Sequence, residues 1–174
     1  MITKPFPWFM SNFRVRVLLF VIFFTLGIVA TLVGVFTPID YASAQVIIQD
    51  MPSPSEITFL LIIENNLSIA LVGFVPIIGI FWTLFVLYST GVVMSAFAVM
   101  GEISPVLYFL FLIGNPIFWI EYIAYTLAMT ESSMLIYSVF KKGVREELKI
   151  ALLVLIVVIL LLVIGAVIEI QMLT

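Results

Sequence analysis

Glu121 is the residue in this sequence best placed to do chemistry. It lies about one helical turn after Asn115-Pro116, in an almost wholly apolar stretch from Tyr88 to Glu131 that also holds Glu102 and is broken by Gly101, Pro105, Gly114 and Pro116. A carboxylate in hydrocarbon is costly unless it is protonated, paired or hydrogen-bonded, so such a group faces a bundle interior or a cavity. Helix breakers at membrane depth carry the same implication, because the backbone groups they free need partners. Pro116 suits the first position of a helix, and Tyr125 shares a helical face with Glu121. Upstream, the adjacent amides Asn65-Asn66 point about 100° apart on a helix and can bond neighbouring backbone, a headgroup or a partner. Two readings of Glu121 follow. In one it handles a proton or cation, together with Glu102 at the broken helix. In the other it makes a structural hydrogen bond to a freed N–H or to an amide such as Asn65, since the spans offer no lysine or arginine as partner.

Composition narrows the chemistry further. The 174 residues are 64% hydrophobic and 10% charged, against the roughly 25% charged fraction of soluble domains. That much apolar surface requires a lipid bilayer to cover it. The chain has no histidine and no cysteine, which removes imidazole and thiolate ligation of zinc, copper, haem or iron–sulfur clusters, and the catalysis those groups perform. Carboxylate, amide, hydroxyl and backbone oxygens remain, which suit protons or hard cations. No cofactor and no enzymatic activity are expected, since paired catalytic carboxylates would need two acids to converge and no motif brings them together. The net charge is −3 and the seven basic residues sit at membrane boundaries without forming a stripe, so no nucleic-acid partner is expected.

The elements that must position these residues are transmembrane helices. Residues 1–14 mix Lys4, prolines and aromatics in the manner of an interfacial segment. Arg14 and Arg16 precede an apolar run from Val17 to Phe36, close to the ~20 residues that span a bilayer. Ala42-Ser43-Ala44 resembles a signal cleavage site, but the run exceeds the ~7–15 apolar residues of a secretory signal. The loop 37–56 begins with Thr37 as a helix cap before Pro38, and places Ile39, Ala42, Val46, Ile47 and Met51 on one side. It is read as an amphipathic helix on the membrane surface, with packing on the bundle as the alternative. Ser53-Pro54-Ser55-Glu56 then has the pattern of a capping box that starts the next helix.

Charge placement sets the count of crossings. Lys4, Arg14 and Arg16 on one side, Asp40, Asp50 and Glu56 on the other, and Lys141, Lys142, Arg145 and Lys149 later, require an odd number of spans between the acidic loop and the basic loop 140–150. Three fit: Asn66 to Tyr88, Val92 to Ile113, and Ile117 to Val139, the middle one interrupted at 101–105. A competing register runs unbroken from Ile77 to Met100 and puts 101–105 in a turn. In the preferred register Pro76 kinks a span. Gly73, Gly79 and Gly91 with Ser89, Thr90 and Ser95 form small packing faces. Ala151 to Ile168 reads as a lipid-facing anchor, and Lys141 to Glu147 as topology-setting charges and solvated pairs.

The paired Asn65-Asn66, Gly91, and Pro116 followed by Glu121 together resemble the stage II sporulation protein M family of integral membrane proteins, over approximately Ile57 to Lys149. The family's Asn-Gly pair falls on Thr90-Gly91, and its Pro-His-Gly-x-x-Glu segment on Pro116-Ile117-Phe118-Trp119-Ile120-Glu121, so its histidine is absent here. The resemblance implies a membrane scaffold that holds other proteins together. The expectation is therefore an all-α, single-domain membrane bundle of about five transmembrane helices, one of them broken, with a short extracytoplasmic amphipathic helix. It sits in the plasma membrane with its N-terminus cytoplasmic and its C-terminus outside. Its expected role is a scaffold or accessory subunit whose partners are other membrane protein subunits, with a small transporter or channel as the alternative.

Overall fold

The computed structural model describes residues 7–53 and 55–173. Lys4, Pro54 and the interfacial segment's first six residues lie outside the described residues. Those described form α1 (Pro7–Val35), α2 (Tyr41–Gln49), α3 (Phe59–Gly73), α4 (Ile78–Met100), α5 (Pro105–Gly114), α6 (Pro116–Phe140) and α7 (Val144–Leu173), with no strand among them. Trp8–Val35, Ile78–Met100 and Val144–Met172 are each long and apolar enough to cross a membrane. A fourth span is added if α5 and α6, bent by 80°, count as one. At 15 residues, α3 is about 22 Å long, short of the ~30 Å hydrocarbon core.

The competing register is the one that folds. No helix runs from Asn66 to Tyr88, because the chain reverses at Phe74–Ile77, and α4 continues without interruption through Tyr88 to Met100. Pro76 therefore sits in a turn and kinks no span. Ile77 has φ 69 and ψ −62, and the Ile78 N–H donates to the Pro76 carbonyl at 2.8 Å. This is a γ-turn of the rare φ-positive kind, adopted here by a β-branched residue. The break at 101–104 separates α4 from α5, and Asn115 separates α5 from α6.

Side-chain contacts fix the directions. Phe24 stacks on Trp119 while Arg16 reaches Glu131, so α1 and α6 are antiparallel. Asn66 bonds Glu121 and Ser132 donates to the Val75 carbonyl at 2.9 Å, so α3 and α6 run together. Gly27 faces Leu87, and Gly34 faces Gly91, so α4 runs with α1. Trp8 bonds Glu147, and Gly165 lies beside Ile120, so α7 also runs with α1. At the α1–α4 crossing a methyl on Gly91 would collide with the Thr31 carbonyl and the Gly34 Cα. Such close backbone approach is how helices associate in lipid, where no hydrophobic effect drives them together.

Between the two ends lies an aromatic and aliphatic core of Phe23, Leu87, Phe118, Tyr122, Met129, Val158 and Leu162. The faces of α1, α4 and α7 turned away from it expose Leu18, Val21, Phe81, Phe85, Leu152 and Leu160. One face of α7 is buried through Val158, Leu162 and Ala166, so this helix is half core and only half anchor.

α2 packs against α4 with Ala44 fully buried, as the bundle-packing alternative requires. Its cap is Asp40, whose side chain accepts the Ser43 N–H at 2.8 Å; Thr37 instead donates to the Val33 carbonyl at the end of α1. Ser53 and Glu56 do bond each other at 2.7 Å, but α3 starts later, capped by Thr58. The bonds from Ser43 hold the Asp40 carboxyl below its ordinary value of 3.8. A depressed carboxyl stabilises the fold above its unfolded value, and that contribution is lost as pH falls through the folded value. The protection of α2 amides, relative to the unstructured chain at the same pH, is therefore expected to be constant near neutrality and to fall only below about pH 4. Asp40→Ala should show the lowered protection at every pH.

Candidate functional site

The strongest polar constellation is where α3, α4, α6 and α7 meet, at the end of the bundle that carries α2. Asn115 caps α6, its Oδ1 accepting the Ile117 N–H at 2.9 Å, and Pro116 takes the first helical position. This start places Glu121 inward, where its Oε1 accepts from Asn66 Nδ2 at 2.6 Å. Tyr125, one turn further, donates its hydroxyl to Asn66 Oδ1 at 2.9 Å, and Asn65 Nδ2 donates to the same oxygen at 3.2 Å. Asn66 is 6% exposed and is the hub of the network. The expected amide partner was Asn65; the bond to Glu121 is made by its neighbour. Nor do these amides open a span, since both lie in the second turn of α3.

Two cavities flank this network. One, of about 360 Å³, is lined by Thr90, Asn115, Glu121, Glu169 and apolar side chains. The other, of about 370 Å³, is lined by Asn65, Asn66, Thr90, Glu121 and Glu169 with Met51 and apolar neighbours. Glu121 and Glu169 thus face both, and neither lining holds a lysine or arginine. Two carboxyls sharing a space without a fixed cation favour a proton or a bound cation between them. Carboxylate, amide and hydroxyl oxygens are the donor set of hard cations. Glu169 lies near the end of α7, outside the stretch from Tyr88 to Glu131; its signal was an acid ending the apolar run from Ala151 to Ile168.

Other expected site residues are placed elsewhere. Glu102 is exposed in the α4–α5 turn with φ 52 and lines neither cavity, so the pairing of Glu102 with Glu121 is not formed. Gly91 serves the α1–α4 crossing.

At the opposite end lies a buried ion cluster that the sequence reading did not anticipate. Arg16 binds Glu131 through Nη1 and Glu147 through Nη2 at 2.5 Å. Trp8 Nε1 donates to the second oxygen of Glu147 at 2.8 Å, and the Trp8 ring occupies the space where a Cβ on Gly143 would project. Arg16, Glu131 and Glu147 are 6%, 3% and 0% exposed. The reading of Arg16 as a membrane-boundary charge and of Glu147 as part of a solvated pair is overturned; Glu131 has a basic partner, while Glu121 has none lining its cavities. Burial of an acid on α6 demanded a cation, and α1, running antiparallel, delivers one at matching depth. No protein-family model, no curated protein and no solved structure matches this chain.

Proposed function

We propose that the chain is an integral membrane protein of five crossings, α1, α3, α4, α6 and α7, with α5 lying at the outer boundary, and that it binds a monovalent cation or proton at Glu121 and Glu169. The basic residues at the start of α1 and at 141–149 put these ends in the cytoplasm by the positive-inside rule, which makes the Glu121 cavities outward-facing. The observation that carries the function is the pair of carboxyls on two cavities lined by amide and hydroxyl groups, with no basic residue among them. Sodium, potassium and methylammonium are the probes of choice. In proteoliposomes the wild type should bind or take up one of them in a pH-dependent way. Glu121→Gln preserves the contact to Asn66 in size but removes the charge, and should weaken that binding about tenfold, or 1.4 kcal/mol, or more. Wild-type uptake and binding in the variant would refute the assignment.

The accessory-subunit reading is favoured by a different observation. Beneath the cavities Tyr122 packs on both Phe118 and Phe24, filling the middle of the bundle rather than opening a passage. Under that reading a stoichiometric membrane partner copurifies from native membranes in mild detergent, and the cavity holds its cation without moving it. The family resemblance enters here as a proposal as well: two of the residues on which it rests, Asn66 and Glu121, are bonded to each other.

A further inference from the structure

The cluster at the cytoplasmic end has an unbalanced charge. Arg16 supplies one positive charge, while Glu131 and Glu147 supply two carboxyls, and these three are the buried charged side chains among the described residues. The other charged groups at this end of the elements that meet there are Arg14 on α1, Lys141 and Lys142 in the α6–α7 turn, and Arg145, Glu146 and Lys149 on α7; Glu121 and Glu169 lie at the opposite end. The six at this end are exposed, and Glu146 is engaged with Lys149. Trp8 contributes a neutral donor to Glu147.

Hydrogen bonding is incomplete as well: Arg16 Nε and one oxygen of Glu131 are both buried without a partner. Glu147 has a partner for each oxygen: Arg16 on one, Trp8 on the other. Glu131 has Arg16 on Oε1, but its Oε2 is fully buried with no partner, and its carboxyl and that of Glu147 are held side by side on the two Nη atoms of one guanidinium. An ionised, unpartnered oxygen beside a second carboxylate, at an apolar pocket lined by Phe9, Phe20 and Leu127, is an arrangement that burial penalises heavily. A proton removes both faults at once: it neutralises the surplus charge and gives the carboxyl pair a donor.

We infer that Arg16, Glu131 and Glu147 form a proton-binding site in which the two carboxyls hold one proton between them. The site joins the start of α1 to α6 and α7, so its occupancy sets how firmly the N-terminal helix is fastened. Loss of the proton leaves two carboxylates on one guanidinium and loosens the Trp8–Arg16 segment. It is separate from the Glu121 cavities and independent of what they bind.

Infrared difference spectroscopy in lipid nanodiscs tests this, on a Glu121→Gln background that removes the other intramembrane acid of α6. At about pH 7, where exposed carboxyls are ionised, the protein should show a protonated-carboxyl stretch that disappears in Glu131→Gln and also in Glu147→Gln, because either single variant leaves one carboxylate for one guanidinium. As pH rises the stretch should bleach in the unmutated cluster, and the protection of amides over residues 8–16, measured against the unstructured chain at the same pH, should fall with the same midpoint, by about tenfold or more. Both single variants should keep their protection across that range. Spectra in which neither variant differs from its parent overturn the inference, as does protection over 8–16 that stays constant with pH. Should the variants not fold, bleaching and loosening with a shared midpoint in the parent alone decide the matter.

Discussion

Arg16→Met is expected to destabilise the folded protein by about 3–5 kcal/mol. Methionine keeps the apolar stem but ends short of the guanidinium, so the effect combines the lost charge, the two lost hydrogen bonds and a small void. Without the guanidinium, Glu131 and Glu147 are two buried carboxyls with no cation, and each must bind a proton or draw in water. The loss should therefore shrink on acidification, which neutralises both acids. Arg16→Lys should fall between, since an ammonium cannot present two parallel donors to two carboxyls as the planar guanidinium does. Arg14→Met, two positions away and exposed, should stay within about 0.5 kcal/mol of wild type. Reversible unfolding in mixed micelles measures all three. Equal stability of the Arg16 and Arg14 variants would mean that the cluster contributes nothing to the fold. Replacing all three members with apolar residues of similar volume should recover most of the loss, because buried ion groups rarely outperform good packing.

The second large effect is expected at the α1–α4 crossing. Gly91→Ala places a methyl against the Thr31 carbonyl and the Gly34 Cα, which are backbone atoms that cannot swing aside. Helix separation is the only relief, at a cost of about 1–3 kcal/mol, and Gly91→Leu should lie at or beyond the top of that range. Gly114 at the end of α5 has nothing within 4 Å of a built Cβ, so Gly114→Ala should be neutral or stabilising by up to about 1 kcal/mol through helix propensity. The same unfolding experiment compares them. A tolerant Gly91 beside an intolerant Gly114 would invert the packing described here.

The sequence was legible where polar residues are rare enough to be conspicuous. Glu121 stood alone after Asn115-Pro116, and the structure gives it an amide partner and a helix start at Pro116. The breaks at 101–104 and 115 followed from Gly, Pro and Asn. The reversal at 74–77 was hidden for a physical reason: a turn whose polar backbone groups are already bonded needs no polar residues to mark it. Phe74 and Val75 N–H groups bond carbonyls of α3, Gly79 N–H bonds the Val75 carbonyl, and Ser132 from α6 adds a donor to that carbonyl. With Phe74-Val75-Pro76-Ile77 as apolar as the helices either side, hydropathy has no edge to detect. Arg16 was misread because a topology-setting arginine and a buried one look alike in isolation. The available clue was Glu131, an acid deep in α6 that required a cation from some other helix.

The separation of the cluster's members along the chain has a consequence for biosynthesis. Arg16 is 115 residues from Glu131 and 131 from Glu147, so at about 5–20 residues per second its partners emerge roughly 6–26 s after it does. During that interval the guanidinium is an unpaired charge that resists translocation and holds the start of α1 on its side of the membrane. Once α6 and α7 arrive, the same group is withdrawn from water. A single arginine thus acts first as an anchor for orientation and later as a clasp, and a nascent chain truncated before Glu131 should leave it open to solvent labelling of the α1 start.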